Sequence, residues 1–304
     1  MNNKIAILLA AYNGRFYIEE QIESILNQIK VNVTIFISID PSSDGTREFL
    51  EVKYKGSEAI VILEDVGSFG GAAKNFFRLI KDVDFSPFDF IAFADQDDIW
   101  YTDKLSRAIE KIKEAKSDGY SSNVLAFWEG GKTRVIEKSQ PQCKYDYLFE
   151  AAGPGCTYVM TGLLAKQIKQ VVVKQWNEVN DLWLHDWFCY AYARANGFKW
   201  AIDESPSMLY RQHASNQVGV NKGWKAFAYR LKKILYGGAL EQSVSIASII
   251  GMQDHSFITK WSNLKKDGLF KLAFYAPMCR RKKQEKVLFF FACILMVVLG
   301  EKKS

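Results

Sequence analysis

The sequence predicts an open α/β sheet covered by helices, followed by a basic helical extension. Strand-like and helix-like segments alternate four times within the first hundred residues. The first strand-like segment, Ile5 to Ala11, is an unbroken apolar run, as in a parallel strand covered on both faces. Segments rich in Asp and Gly follow the strands, and open α/β sheets bind ligands beyond the carboxyl ends of their strands.

Each element is predicted from its own local pattern. Turn residues such as Asn13-Gly14 end the strands, and apolar residues recur with helical spacing between them, as at Ile18, Ile22 and Ile25. Strands are predicted at 5–11, 31–39, 59–63 and 88–94, and helices at 16–29, 47–54, 72–83 and 185–196. No G-x-G-x-x-G follows the first strand, which argues against a dinucleotide fold of the dehydrogenase type.

The charge is unevenly distributed along the 304 residues. Residues 221–304 carry 16 lysines and arginines against 5 acidic residues, whereas residues 1–220 carry 24 against 29. We expect the basic end to meet an anionic surface, and the acidic body argues against nucleic acid as a partner. The five scattered cysteines and three histidines make a zinc cluster improbable and fit a reducing cytoplasm.

An acidic turn, Asp95-Gln-Asp-Asp98, directly follows the buried run Phe90 to Ala94. Three carboxylates within four residues repel one another, and this repulsion is relieved when they share a hard cation such as Mg²⁺ or Mn²⁺. The alternative is a solvated acidic turn without a ligand.

The acidic turn, with Ile99-Trp-Tyr-Thr-Asp-Lys-Leu105, resembles the DXD segment of the family 2 glycosyltransferases. Ala11-Tyr-Asn-Gly14 is similar to the opening of that family, and the turn from Ser38 to Thr46 resembles its second nucleotide-binding loop. The sequence departs from the family at Ile39, which replaces the first of two adjacent acids, while Asp40 keeps the second.

Two later segments extend the resemblance over residues 4–220. His185-Asp186-Trp187 lies where inverting members carry their catalytic base, and Tyr210 to Gly219 resembles a segment of the rhamnosyltransferase-like branch. The resemblance implies a GT-A-like open mixed sheet flanked by helices in residues 1–220. Its nucleotide-sugar half would be 1–120 and its acceptor half 121–220, with a helical, basic, membrane-associating region at 221–304.

The resemblance also implies roles for individual residues. Asp186 would be the catalytic base, while Asp97, Asp98 and His213 would hold Mn²⁺ or Mg²⁺. The donor would contact Ala11, Tyr12, Asn13, Asp40, Asp95, Gln96, Arg211 and His213, and the acceptor would contact Trp187, Gly155 and His185. Plainer roles stay open: turn and helix-cap residues for Asp40 and Asp44, a backbone turn for Gly155, core packing for Trp187, a structural role beside the base for His185, and structural hydrogen bonding for His213.

The C-terminal region ends in an apolar run of 13 residues, Val287 to Leu299, preceded by Arg280-Arg-Lys-Lys283 and Lys286. As a helix it would span roughly 20 Å, short of the ~30 Å hydrocarbon core, which predicts an interfacial or re-entrant segment. A core helix or a partner interface is the alternative. Trp224 to Tyr236 is a second amphipathic, basic stretch.

The resemblance, together with the basic and apolar C-terminal region, implies an inverting, metal-dependent glycosyltransferase at the cytoplasmic face of the bacterial inner membrane. The first expected donor is dTDP-L-rhamnose, with UDP-hexoses second, and the expected acceptor is a saccharide on a lipid carrier. Self-association is left open. The rivals are a nucleotidyltransferase, for which the first loop lacks a glycine-rich basic pattern, and a non-catalytic glycan- or membrane-binding protein.

Overall fold

The computed structural model describes residues 2–212 and 238–299, which form two compact units. The first contains residues 2–139 and 152–212, and the second contains residues 140–151 and 238–299. The expected boundary at residue 220, His213 and the amphipathic stretch 224–236 lie outside the described residues.

The first unit is built on two sheets. Its strands are β1 (Asn3–Ala11), β2 (Val31–Ile39), β3 (Ile60–Ile62), β4 (Phe90–Ala94), β5 (Ile99–Trp100), β6 (Gly119–Ser122), β7 (Val124–Phe127), β8 (Thr133–Ile136), β9 (Val159–Thr161), β10 (Trp200–Asp203) and β11 (Met208–Arg211). The larger sheet has the order β10-β6-β9-β4-β1-β2-β3, and the smaller one has the order β5-β11-β7-β8. β9 runs antiparallel to β4 and β6, so the larger sheet is mixed, as expected.

The helices of the first unit are α1 (Ile18–Leu26), α2 (Thr46–Lys53), α3 (Ala72–Asp82), α4 (Lys104–Ala115), α5 (Gly162–Lys174), α6 (Trp176–Asn180) and α7 (His185–Ala195). α1 ends three residues earlier than its apolar spacing predicts. The reason is tertiary: the backbone N–H of Ile29 donates to the Thr102 carbonyl, and the Gln28 side chain donates to the Tyr101 carbonyl. These bonds pull the chain out of the helix toward β2.

β1 lies at the centre of the larger sheet and is buried from Ile5 onward. It pairs in parallel with β2 on one side and β4 on the other, with Ile5 opposite Val33 and Phe90. The chain moves outward from β1 to β2 and β3, then returns to the other side at β4. The sheet order therefore reverses between β1 and β4, which is where ligands bind in open α/β sheets.

The second unit is helical in the part described, with α8 (Ala239–Ile249), α9 (Lys266–Phe274), α10 (Ala276–Cys279) and α11 (Lys283–Leu299). Arg281 is buried there between the carboxylates of Asp146, at 3.4 Å, and Glu150, at 3.6 Å, and it donates to the Ala151 carbonyl. This buried charge triad ties residues 146–151 to the start of α11.

The apolar run 287–299 lies within α11. One side of this helix, including Phe289, Ala292 and Cys293, is buried in the second unit, whereas Phe291 and Val298 are exposed. One face of α11 therefore packs in the core of the second unit, as expected for a core helix, and the other face is exposed to solvent. Among the helices that the structure describes, none is long and apolar enough to cross a membrane.

Candidate active site

The loops that follow β1 and β2 are joined by backbone and side-chain hydrogen bonds. The backbone of Asn13 adopts a left-handed conformation (φ 46°), and its amide oxygen accepts from the Ser43 N–H at 2.9 Å. Its own N–H donates to Ser42 Oγ, and the Asp40 N–H donates to the Ala11 carbonyl. The two predicted donor-binding loops thus form one continuous edge above the sheet.

Asp44 has the turn role that its plain interpretation predicts, since it accepts from the N–H groups of Arg15 and Thr46. Asp40 is different. Its carboxylate is buried and accepts from the Phe69 N–H at 2.6 Å, which draws the glycine-rich loop 67–71 over the carboxyl end of β2. A buried carboxylate at this edge can also accept a hydrogen bond from a nucleobase.

Arg78 and Asn75 lie under the same edge, and neither was predicted from the sequence. Arg78 donates to Ser38 Oγ at 2.9 Å and to the Glu64 carbonyl, while Asn75 donates to the Ser38 carbonyl at 3.0 Å. Both side chains belong to α3 and are buried. Polar residues on the buried side of an amphipathic helix were the signal that could have revealed them.

Gln96 joins the loop after β1 to the loop after β4. Its Oε1 accepts from the Tyr12 N–H at 2.8 Å, and its Nε2 donates to the Tyr12 carbonyl at 2.9 Å. Gly14 makes this pairing possible, because a Cβ at that position would lie 2.3 Å from Gln96 Oε1. Gln96 therefore fixes the position of the loop after β1 relative to the loop after β4, on the two sides of the point where the strand order reverses.

The acidic turn brings two carboxylates to the thiol of Cys156. The ligand atoms of Asp95, Asp98 and Cys156 all lie within 4.8 Å of one another. Asp98 is fully buried, and its Oδ1 accepts from the Arg211 N–H at 3.1 Å. Its buried Oδ2 meets no N–H or O–H donor among the residues described. Such an oxygen needs a partner.

Burial and electrostatic repulsion also raise the pKa of two carboxylates in this turn. Burial, reinforced by the charge of Asp97, raises the pKa of Asp95 to about 7. Burial raises the pKa of Asp98 as well, and the charges of Asp95 and Asp97 add to it. A buried, oxygen-rich, mutually repelling set with one unsatisfied carboxylate oxygen fits a hard divalent cation such as Mn²⁺ or Mg²⁺.

Lys104 is a buried cation near the acidic turn. Its ammonium donates to the Cys156 carbonyl at 2.6 Å and lies 3.4 Å from the centre of the Trp100 ring. Burial lowers the pKa of Lys104 to about 7, and the charges of Asp98 and Asp95 oppose this shift. No role is predicted for Lys104 from its motif, because the first residue of a polar helix is usually solvated.

Arg211 holds the acidic turn in place. Its guanidinium lies 4.6 Å from the Tyr17 ring and 4.6 Å from the Phe127 ring, and its Nε donates to the Asp97 carbonyl at 2.8 Å. A further bond reaches Glu20. These contacts support a positioning role for Arg211, and its predicted contact with the donor stays a prediction. His213 lies outside the described residues, so its predicted donor and metal contacts stay predictions.

Asp186 stands in the first turn of α7, partly exposed, and its Oδ1 accepts from the Trp187 N–H at 2.7 Å. Burial raises the pKa of Asp186 to about 6, against hydrogen bonds from the backbone that lower it. Its charge in turn contributes to the raised pKa of Asp95. A carboxylate with this pKa is a suitable general base near neutral pH.

Three residues predicted to contact the acceptor are buried around Asp186. The His185 ring stacks on Phe76 with centroids 3.9 Å apart, and burial lowers its pKa to about 3, so the ring is neutral. Trp187 is buried in the core, and a Cβ on Gly155 would lie 2.8 Å from His185 Nε2. These positions support packing roles for all three, and their predicted contacts with the acceptor stay predictions.

Residues 6–161 match the family model described as Glycosyl transferase family 2. The chain belongs to that family. Over 290 residues it is 42% identical to dTDP-rhamnosyl transferase RfbG of Shigella flexneri, a match that covers 95% of this chain and 100% of the relative. The resemblance to the rhamnosyltransferase-like branch is confirmed, and the protein is a glycosyltransferase.

Other known proteins share the first half of the chain or its fold. The UDP-Glc:alpha-D-GlcNAc-diphosphoundecaprenol beta-1,3-glucosyltransferase WfaP of Escherichia coli is 30% identical over 157 residues, covering 51% of this chain and 59% of WfaP. A crystal structure of S. aureus TarS 1–349 with UDP superposes with a TM-score of 0.56 at 14% identity, covering 97% of this chain and 88% of TarS. The predicted GT-A-like fold is thereby confirmed.

Proposed function

We propose that the protein transfers L-rhamnose from dTDP-L-rhamnose, with inversion, to a growing lipid-linked glycan at the cytoplasmic face of the bacterial inner membrane. The observation that carries the donor assignment is the 42% identity to a dTDP-rhamnosyl transferase along that relative's whole length. A family resemblance confined to the nucleotide-binding half would leave the sugar open. Here the identity extends through the segments that follow it.

The donor nucleotide is assigned to the edge formed by the loops after β1 and β2. Asp40 can accept the N3–H of thymine with a carboxylate oxygen, and its bond to the Phe69 N–H fixes its orientation. Tyr12 is exposed at the same edge, and its backbone is clamped by Gln96. A clamped, preorganised loop lowers the ordering cost of binding.

The diphosphate is assigned to the carboxyl end of β4. Asp97 and Asp98 are the proposed ligands of Mn²⁺ or Mg²⁺, and Asp95 lies close enough to Asp98 to take part. When bound, such a cation neutralises charge on the leaving diphosphate. Arg211 contributes by fixing the Asp97 carbonyl and the Asp98 carboxylate through its side chain and its own N–H.

The transfer is assigned to Asp186 as general base. It takes the proton of the acceptor hydroxyl as the oxygen of that hydroxyl forms a bond to the anomeric carbon. The bond from that carbon to the phosphate oxygen breaks, and its electron pair leaves with dTDP. Attack from the face opposite the leaving group converts a β-linked donor into an α-linked product. The pKa of Asp186, raised to about 6, still lies below neutral pH, so the carboxylate is ionised there and is a stronger base than an ordinary aspartate.

The lipid-linked acceptor is proposed from a relative. The name of WfaP specifies a sugar on diphosphoundecaprenol as its acceptor, and 51% of this chain aligns with it. A polyprenol-linked acceptor would place the reaction at a membrane.

A donor screen tests the proposal. The melting temperature of the full chain would be measured with Mn²⁺ and, in turn, dTDP-L-rhamnose, UDP-glucose, UDP-GlcNAc and GDP-mannose, since native-state ligands raise it. We expect the largest increase with dTDP-L-rhamnose, and slow Mn²⁺-dependent hydrolysis of that donor. A larger increase with UDP-glucose would move the donor to the UDP-hexoses. No binding or hydrolysis of any sugar nucleotide would overturn the enzymatic assignment.

A further inference from the structure

The second unit carries a row of four aromatic rings across two helices, of which three are exposed and one, Phe290, is partly buried. Phe270 and Phe274 of α9 have centroids 5.1 Å apart, Phe274 and Phe290 of α11 are 5.6 Å apart, and Phe290 and Phe291 are 5.4 Å apart. Phe274 is 62% exposed and Phe291 is 61% exposed. We call these four rings the phenylalanine face.

The phenylalanine face lies outside the hydrophobic core of the second unit, which is formed by other residues of the same two helices. α9 buries Leu269, Leu272 and Ala273, and α11 buries Phe289 and Ala292, on their inward sides. Val287 extends the face along α11, since it stands four residues before Phe291 and is 56% exposed. Contiguous exposed apolar surface of this kind marks an interaction site.

Lysines stand one helical turn before the aromatic residues. Lys266 is four residues from Phe270 on α9, Lys283 is four residues from Val287 on α11, and Lys286 is four residues from Phe290. Residues four apart share one side of a helix, so each helix presents cations at the N-terminal end of its apolar row.

Acidic residues do not cancel this charge. Residues 260–286 contain nine lysines and arginines against two acidic residues, Asp267 and Glu285. Asp267 lies 3.7 Å from Lys271, and Glu285 lies 2.7 Å from Arg280. Arg281 is buried between Asp146 and Glu150. The other six cations of this stretch are lysines that form no ion pair among the described residues. The uncompensated charge beside the phenylalanine face is therefore positive.

We infer that the phenylalanine face docks on an anionic lipid surface, with the rings entering the interfacial region and Lys266, Lys283 and Lys286 meeting the headgroups. Helices with exposed aromatic residues and flanking lysines bind membranes in this way, and each cation near the surface contributes about 1 kcal/mol. A second copy of the chain is the poorer occupant, because a symmetric contact would bring the same cations together. The inference deepens the proposed membrane location and concerns a surface separate from the donor site.

The test is co-sedimentation of the full chain with vesicles of phosphatidylcholine alone or mixed with phosphatidylglycerol, at low and high salt. The wild type should bind the anionic vesicles more strongly, and salt should weaken that binding. The double variant Phe274→Glu/Phe291→Glu should lose at least about tenfold in vesicle partition. The matched control Val52→Glu/Val173→Glu adds the same charges at exposed apolar positions of α2 and α5, and should bind like the wild type.

A second variant keeps the test valid if the Phe274→Glu/Phe291→Glu variant does not fold. Lys266→Gln/Lys283→Gln leaves every ring in place and should remove most of the preference for anionic over neutral vesicles. Equal binding of neutral and anionic vesicles by the wild type would overturn the inference, as would undiminished binding by the Phe274→Glu/Phe291→Glu variant. So would a change from dimer to monomer in that variant with vesicle binding intact, since the face would then join two copies.

The donor screen separates this inference from the proposed function. If the face variants lose vesicle binding and no sugar nucleotide raises the melting temperature, the docking surface stands and the enzymatic proposal fails. If dTDP-L-rhamnose stabilises the protein and vesicles do not bind it, the reverse holds.

Discussion

Replacing Asp186 by Asn tests the catalytic assignment with little structural disturbance. The asparagine keeps an oxygen for the Trp187 N–H, which lies 2.7 Å from Asp186 Oδ1, and it removes the basic lone pair. We expect donor affinity and melting temperature near those of the wild type. Turnover should fall by about 10² to 10⁴, the usual contribution of a general base. That range corresponds to about 3–5 kcal/mol in the activation free energy.

The pH dependence gives this prediction a second readout. Because burial raises the pKa of Asp186 to about 6, the base is ionised above that pH and is lost as the pH falls through it. With saturating Mn²⁺, kcat/KM of the wild type should therefore decline below about pH 6, and Asp186→Asn should lack this step.

Steady-state transfer of radiolabelled rhamnose would measure both effects. Asp181→Asn makes the same chemical change at an exposed carboxylate just before α7, and its turnover should match the wild type. If Asp186→Asn retained near-normal turnover and the same acid limb, Asp186 would not be the base.

Three further variants test other parts of the structure. Gly14→Ala places a methyl group 2.3 Å from Gln96 Oε1, so the hydrogen bonds between Gln96 and Tyr12 should break. Calorimetry should then show dTDP binding weakened by up to about tenfold. Unchanged affinity would show that these hydrogen bonds are not needed for dTDP binding. Asp98→Asn should sharply reduce Mn²⁺ binding, measured by electron paramagnetic resonance, whereas Asp103→Asn at an exposed position should not. Equal Mn²⁺ binding by the two variants would show that Asp98 is not a metal ligand. Arg281→Met leaves Asp146 and Glu150 without their buried cation and should cost about 3–5 kcal/mol in urea unfolding; a negligible loss would show that the triad contributes little.

The central strands could be predicted from sequence because covered parallel strands are continuous apolar runs. β2 has the predicted bounds, 31–39, and β4 lies within its predicted segment. The smaller sheet was not predicted. Its strands have two to four residues, and β8 is largely exposed, so no periodic pattern marks them. β9 was missed for the same reason, because only three residues pair there between β4 and β6.

The acidic turn could be selected from sequence because three carboxylates at the end of a buried strand are a local signal, whereas Asp186 was selected through the family resemblance. The partners of these residues could not be selected from sequence. Cys156 reaches Asp98 only when the sheet brings distant segments together, and Lys104 belongs to a helix whose pattern is that of a solvated surface. Arg211 was assigned to the donor through the family resemblance of its segment and its charge, and its stacking between Tyr17 and Phe127 beside the acidic turn could not be predicted from sequence.

The central claim is that the protein is an inverting rhamnosyltransferase, and the anomeric configuration of its product tests this most directly. The full chain would be incubated with dTDP-β-L-rhamnose, Mn²⁺ and a polyprenol-diphosphate-linked saccharide, and the new linkage would be assigned by NMR. We expect a single α-L-rhamnosyl linkage that Asp186→Asn fails to form. A β-linkage, or transfer from UDP-glucose with none from dTDP-L-rhamnose, would contradict the central claim.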